Sequence, residues 1–210
     1  MARISEAVKQ DHALIQNAFH QLRNADPEAR KPEEFIWALD RYLIVEDLVV
    51  APALETHIAQ GGERHRRLSD DFDSVSSTNP TNPFLFFCTE MCPARLLTNV
   101  INYYFQMNAK LRHMQQFSPT EASFDSSLSA IWVDLEPHIR EEATSGGDLG
   151  LLEESLSPRE SEALAKKYDD IKELLQRPYG KEGVPDGRTL SAILEMPRQE
   201  LMVKLGITGQ

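Results

Sequence analysis

Apolar residues recur at three- and four-residue spacing over several long segments, while strand signals are weak. That pattern restricts the chain to an all-α fold whose helices bury one stripe each against one another. The first stripe is Ile4, Val8, His12, Ile15, Phe19 and Leu22, on a helix predicted from Ser5 as N-cap to Asn24. Asp26-Pro27 breaks it. Pro32 suits a first helical turn and opens a second helix that runs to about Thr56, with stripe Phe35, Leu39, Tyr42, Glu46, Val49 and Ala53. Pro52 should kink or end its last turns.

A shorter helical segment is predicted over Glu63–Ser76, with stripe His65, Leu68, Phe72 and Val75. The breaker-rich stretch Ser76–Cys92 reads as a loop whose aromatic part, Phe84, Phe86 and Phe87, packs down onto the helices. A long helix follows from Pro93 to about Gln116, with stripe Leu97, Val100, Tyr104, Met107, Leu111 and Met114. The next covers about Ser123 to Thr144, with stripe Leu128, Ile131, Leu135, His138 and Glu142, and Pro137 should bend it. A Glu- and Lys-rich helix is predicted over Pro158–Gln176 with Ser157 as N-cap, and an amphipathic piece over Leu190–Leu205 closes the chain. Long helices with short connections make an up-down bundle the natural architecture. The expected division is a bundle over 1–150, with 77–95 as a loop insertion before or within helix three, and a C-terminal helix and tail over 151–210 that pack on it.

Charge narrows the partners. The formal net charge of −11 argues against nucleic acid or an anionic membrane surface as the main partner. No apolar run reaches the ~18 residues that span a bilayer. The opening residues Met1–Glu6 run straight into an amphipathic pattern with no apolar leader, so a cytoplasmic location without a cleaved signal is expected. Two cysteines, Cys88 and Cys92, are too few for a disulfide scaffold and read as free thiols.

The informative feature is where certain polar residues fall. His12, Glu46, His138 and Glu142 all lie on the apolar stripes of their own helices. A carboxylate on a buried stripe is costly unless it is paired or bound to a metal. Two glutamates and two histidines from three helices share one explanation if they converge in the bundle core around a metal ion. In His138-Ile139-Arg140-Glu141-Glu142 the imidazole and the second carboxylate are one turn apart on one face. Imidazole suits iron, zinc or copper, and carboxylates suit hard cations. One such pair is weak evidence alone; the joint pattern across helices is what carries the reading. Asp47 and Glu141, one position off the stripes, read as solvated.

These segments resemble the hemerythrin-like HHE cation-binding family. Asp11-His12 opens its first helix, Tyr42 to Glu55 resembles its H-x3-E segment with the following apolar run and Pro-Ala, and Leu135 to Glu142 resembles its second H-x3-E. Arg177-Pro178-Tyr179 through Leu205 resembles the tail of fungal members. The resemblance covers about residues 5–75 and 105–205. It implies a four-helix bundle with two non-heme irons, held by one His from helix one, H-x3-E from helix two, a His from helix three and H-x3-E from helix four. It also implies dioxygen or another small molecule as ligand.

The chain departs from that pattern twice. Tyr42 stands at the first His position of helix two. The helix-three ligand is His65, Asp73 or Tyr104, depending on whether the count runs forward from Glu46 or back from Ser118-Pro119. Tyr42 and Tyr104 read as core aromatics with bonded hydroxyls, as phenolate ligands to iron, or as groups that face a bound substrate. Three functions follow from such a reduced ligand set. The first is an iron protein, mono- or dinuclear, that binds dioxygen. The second is a metal-dependent enzyme acting on a small organic substrate. The third is a metal-free bundle with an interaction role, in which the four groups pair with one another.

Overall fold

The computed structural model describes residues 2–58, 95–175 and 198–204 of the chain. They are helical with short connections: α1 (Ile4–Asn24), a 3-10 turn (Pro27–Ala29), α2 (Pro32–Val45), a π-helical turn (Glu46–Val50), α3 (Ala51–His57), α4 (Arg95–Met114), α5 (Ala122–Glu142), α6 (Asp148–Ser155), α7 (Pro158–Leu175) and α8 (Arg198–Lys204). Among the described residues no helix is long and apolar enough to cross a membrane.

Four of these make the expected up-down bundle. The pairs Phe19–Phe35 and His12–Tyr42 run α1 against α2, and Phe19–Trp132 with His12–Glu142 runs α1 against α5. Lys110–Asp134 and Tyr103–His138 set α4 antiparallel to α5. The stack of Trp132 on Phe19, with ring centroids 3.9 Å apart and planes 7° from parallel, closes one end of the α1–α5 seam.

α2 departs from the expected single stripe. Every residue from Phe35 to Val50 except Trp37 and Asp47 is buried. A helix buried on all sides, here with Asp40 and Arg41 included, lies in the middle of a protein, and the cause is α7. This helix lies parallel to α1 and covers the side of α1 and α2 that a bare four-helix bundle leaves to solvent. Tyr168, Ile171 and Leu175 of α7 enter the same core as Ile4, Val8 and Leu39.

The contact between α1 and α7 also corrects the expected cap. Arg3, not Ser5, precedes the first turn, and its N–H donates to Glu6 Oε2. The next two N–H groups are satisfied across the fold: Ile4 donates to Ser161 Oγ at 3.1 Å and Ser5 to Glu153 Oε1 at 3.0 Å. Ser157 does cap α7, in a reciprocal pair with Glu160.

Pro52 does not end its helix. The helix widens to a π turn just before it, with the Ala51 N–H donating to Glu46 O, and α3 continues to His57. A proline lacks the N–H of an α register and its ring crowds the carbonyl four residues back; a wider turn relieves both. α5 runs unbroken through Pro137. The carbonyl that loses its helical partner there belongs to Val133, a residue that is 68 % exposed. α6 falls between the helices predicted over Ser123–Thr144 and Pro158–Gln176, where none was predicted. Gly147 permits it: a Cβ there would sit 1.9 Å from the Glu141 carbonyl oxygen, so only glycine lets the chain turn back directly after Glu142. His65, Asp73, Cys88, Cys92, the Phe84–Phe87 cluster and the predicted Glu63–Ser76 helix lie outside the described residues, as does the part of the predicted Leu190–Leu205 helix before Arg198.

Candidate metal centre

The four residues singled out on three stripes meet. His12 comes from the middle of α1, Glu46 from the first position of the π turn that follows α2, and His138 and Glu142 from one face of α5. All four are buried. His12 Nε2 lies 2.9 Å from Glu142 Oε2, and His138 Nε2 lies 3.7 Å from both Glu142 Oε2 and Glu46 Oε1. Glu46, His138 and Glu142 each offer a ligand atom within 4.8 Å of the other two.

Tyr42 sits at the centre of this group. It is one helical turn before Glu46, so the two share a face. Its hydroxyl donates to Glu142 Oε2 at 2.9 Å and lies 3.0 Å from His138 Nε2 and 3.4 Å from His12 Nε2. Tyr104 lies on α4, but its side chain is outside the described residues. Its neighbour Tyr103 is the tyrosine whose placement is described: its ring lies over His138, with centroids 4.7 Å apart. A 3.6-residue period passes equally well through 103-107-111-114 and 104-107-111-114, so the stripe could not separate the two.

The electrostatics are those of a closed acidic pocket. Burial pulls His138 down, but the adjoining Glu46 carboxylate, then Glu142 and Asp148, more than offset it and hold the imidazole up to about 9. Burial, with Glu46 and Glu142, pushes the Tyr103 phenol well above its ordinary value. Glu142 Oε1 is buried with no hydrogen-bond partner among the described residues. An acceptor left in that state is costly, and a cation removes the cost. The donor set of imidazole and carboxylate therefore fits a hard or borderline metal ion.

Two neighbouring features were not read from the sequence. Asp11, next to His12 but on the α7-facing side of α1, is buried and takes three partners: Lys172 Nζ at 2.9 Å, the Tyr168 hydroxyl at 2.8 Å and Arg41 at 3.4 Å. Arg41 also stacks its guanidinium over Trp37 at 3.9 Å. In addition, a cleft of about 420 Å³ opens between α1 and α5, walled by Lys9, Gln16, Glu136 and Arg140 and reaching His12.

An all-α bundle with a buried His/Glu cluster fits a metal-binding bundle. The chain is similar to an uncharacterized hemerythrin-like protein of Schizosaccharomyces pombe, 23% identical over 178 residues, which is 83% of this chain and 71% of that one. No family model matches the chain, and no solved structure matches it.

Proposed function

We propose that this protein holds non-heme iron through His12, Glu46, His138 and Glu142 and binds dioxygen or another small ligand there. The observation that carries the reading is the convergence of Glu46, His138 and Glu142, from two helices, on one buried point. Iron at that point supplies reversible ligand binding or redox chemistry. The chain's own residues hold it and exclude bulk water, and the cleft beside His12 offers a small molecule an approach. His65, the remaining candidate ligand, belongs to the same proposal and lies outside the described residues.

The cleft also favours a second reading, a metal-dependent enzyme acting on a small organic substrate. The hydrogen bonds of Tyr42 to the cluster favour a third, in which the polar groups satisfy one another without metal. Elemental analysis of protein expressed in iron-replete medium separates the third from the others. The expected result is stoichiometric iron in the wild type, lost in Glu142→Ala. Sub-stoichiometric metal in the wild type, with a melting temperature indifferent to chelator, would sink both metal readings.

A further inference from the structure

The proposed ligand set leaves unused the oxygen nearest to it. Ligand atoms about 2.1 Å from one metal ion are about 3.0 Å apart in octahedral and about 3.4 Å apart in tetrahedral arrangement. Tyr42 Oη lies 2.9, 3.0 and 3.4 Å from Glu142 Oε2, His138 Nε2 and His12 Nε2, and two of those three atoms, His12 Nε2 and Glu142 Oε2, are 2.9 Å apart. The phenol oxygen thus stands at ligand spacing from three proposed ligands on two other helices. Tyr168, by contrast, donates its proton to Asp11.

We propose that Tyr42 is itself a ligand, bound as phenolate, and that it makes the centre prefer trivalent over divalent iron. This rests on the metal-binding reading above. Charge supplies the second argument. The two histidines ligate as neutral imidazoles, so Glu46 and Glu142 together balance a divalent ion and leave a trivalent one with an excess positive charge. An unbalanced charge among groups as buried as these is costly. Phenolate removes the excess. On binding, the Tyr42 O–H bond breaks, an oxygen–metal bond forms and the proton passes to solvent; no electron moves.

The test is titration of the full chain with iron(II) under anaerobic conditions and, separately, with iron(III) citrate, for the wild type and Tyr42→Phe. The wild type loaded with iron(III) is expected to show a visible phenolate-to-iron charge-transfer band, with tyrosine ring modes enhanced in the Raman spectrum excited within it. Tyr42→Phe is expected to lose the band and to bind iron(III) about 100-fold more weakly, with iron(II) affinity changed less than about tenfold. A wild type that loads iron(III) without the band overturns the proposal and leaves the metal reading standing. A band that survives in Tyr42→Phe also overturns it. Uptake of neither ion overturns both. If Tyr42→Phe does not fold, Tyr103→Phe, Tyr104→Phe, Tyr168→Phe and Tyr179→Phe, the other four tyrosines of the chain, replace it: retention of the band in all four supports Tyr42, and its loss in any one overturns the assignment.

Discussion

The Tyr42 hydroxyl donates to Glu142 Oε2 across 2.9 Å, joining α2 to α5 between residues 100 positions apart in the chain. The same carboxylate oxygen lies 2.9 Å from His12 Nε2 of α1. One oxygen thus gathers three helices, and its removal is felt by all of them.

In chelator-treated protein, Glu142→Ala strips the acceptor from two buried groups at once. A loss of about 2–3 kcal/mol is expected from urea unfolding, with Glu142→Gln losing less because an amide oxygen still accepts. Equal stability of Glu142→Ala and the wild type would mean that the network contributes nothing to folding.

His138 sets the pH dependence of the metal-free protein. Its value is raised from 6.5 in the unfolded chain to about 9 in the folded one. The folded state therefore binds the proton more tightly. Its contribution is fully present below pH 6.5 and is lost as pH rises through 9, by up to about 3 kcal/mol. Unfolding free energies at pH 6, 7.5 and 9 should fall in that order, and His138→Asn should flatten the trend. Because the ligand is neutral imidazole, metal affinity should rise over the same interval.

The Asp11 cluster predicts a different failure. Asp11→Ala leaves Arg41 and Lys172 facing one another without the buried carboxylate between them, at an expected cost of about 3 kcal/mol. Tyr168→Phe removes only one hydrogen bond from the same carboxylate and should cost about 1 kcal/mol. Because the cluster fastens α7, amide exchange in 158–175 should speed up in Asp11→Ala more than exchange in α5. Uniform acceleration would refute that local role.

Gly147 is predicted to be intolerant of any side chain. Gly147→Ala places a methyl group against the backbone carbonyl of Glu141, and the turn after α5 must shift. A drop in stability of about 2 kcal/mol or more is expected. If the shift reaches Glu142, metal retention falls as well, measured as metal per chain on the purified variant.

The bundle and the burial of four candidate site residues were legible because both rest on one local rule. A helix that must bury a stripe shows its apolar residues at 3.6 spacing, and His12, Glu46, His138 and Glu142 stand out as polar members of such stripes. Asp11 falls by spacing on the same stripe, with Ile4, Val8 and Ile15, yet was not singled out, because the partners that explain its burial, Tyr168 and Lys172, come from α7, far along the chain. The unbroken apolar run Leu43-Ile44-Val45 followed by Leu48-Val49-Val50-Ala51 was a signal that α2 is enclosed on all sides. Read as one stripe, it did not show that the predicted Pro158–Gln176 helix would cover α2. The π turn before Pro52 was equally hidden, since a proline announces that the α register fails but not how the chain absorbs it.

By itself, then, the sequence determined the helices, their buried faces and which polar residues those faces carry, because each depends on neighbours three or four positions away. The tertiary structure alone decided that Tyr42 Oη would lie among His12, His138 and Glu142, and that Tyr103 would cover His138. Those distances depend on how α1, α2, α4 and α5 rotate against one another, and a rotation of one residue's arc, about 100°, separates Tyr103 from Tyr104 while leaving the apolar period intact.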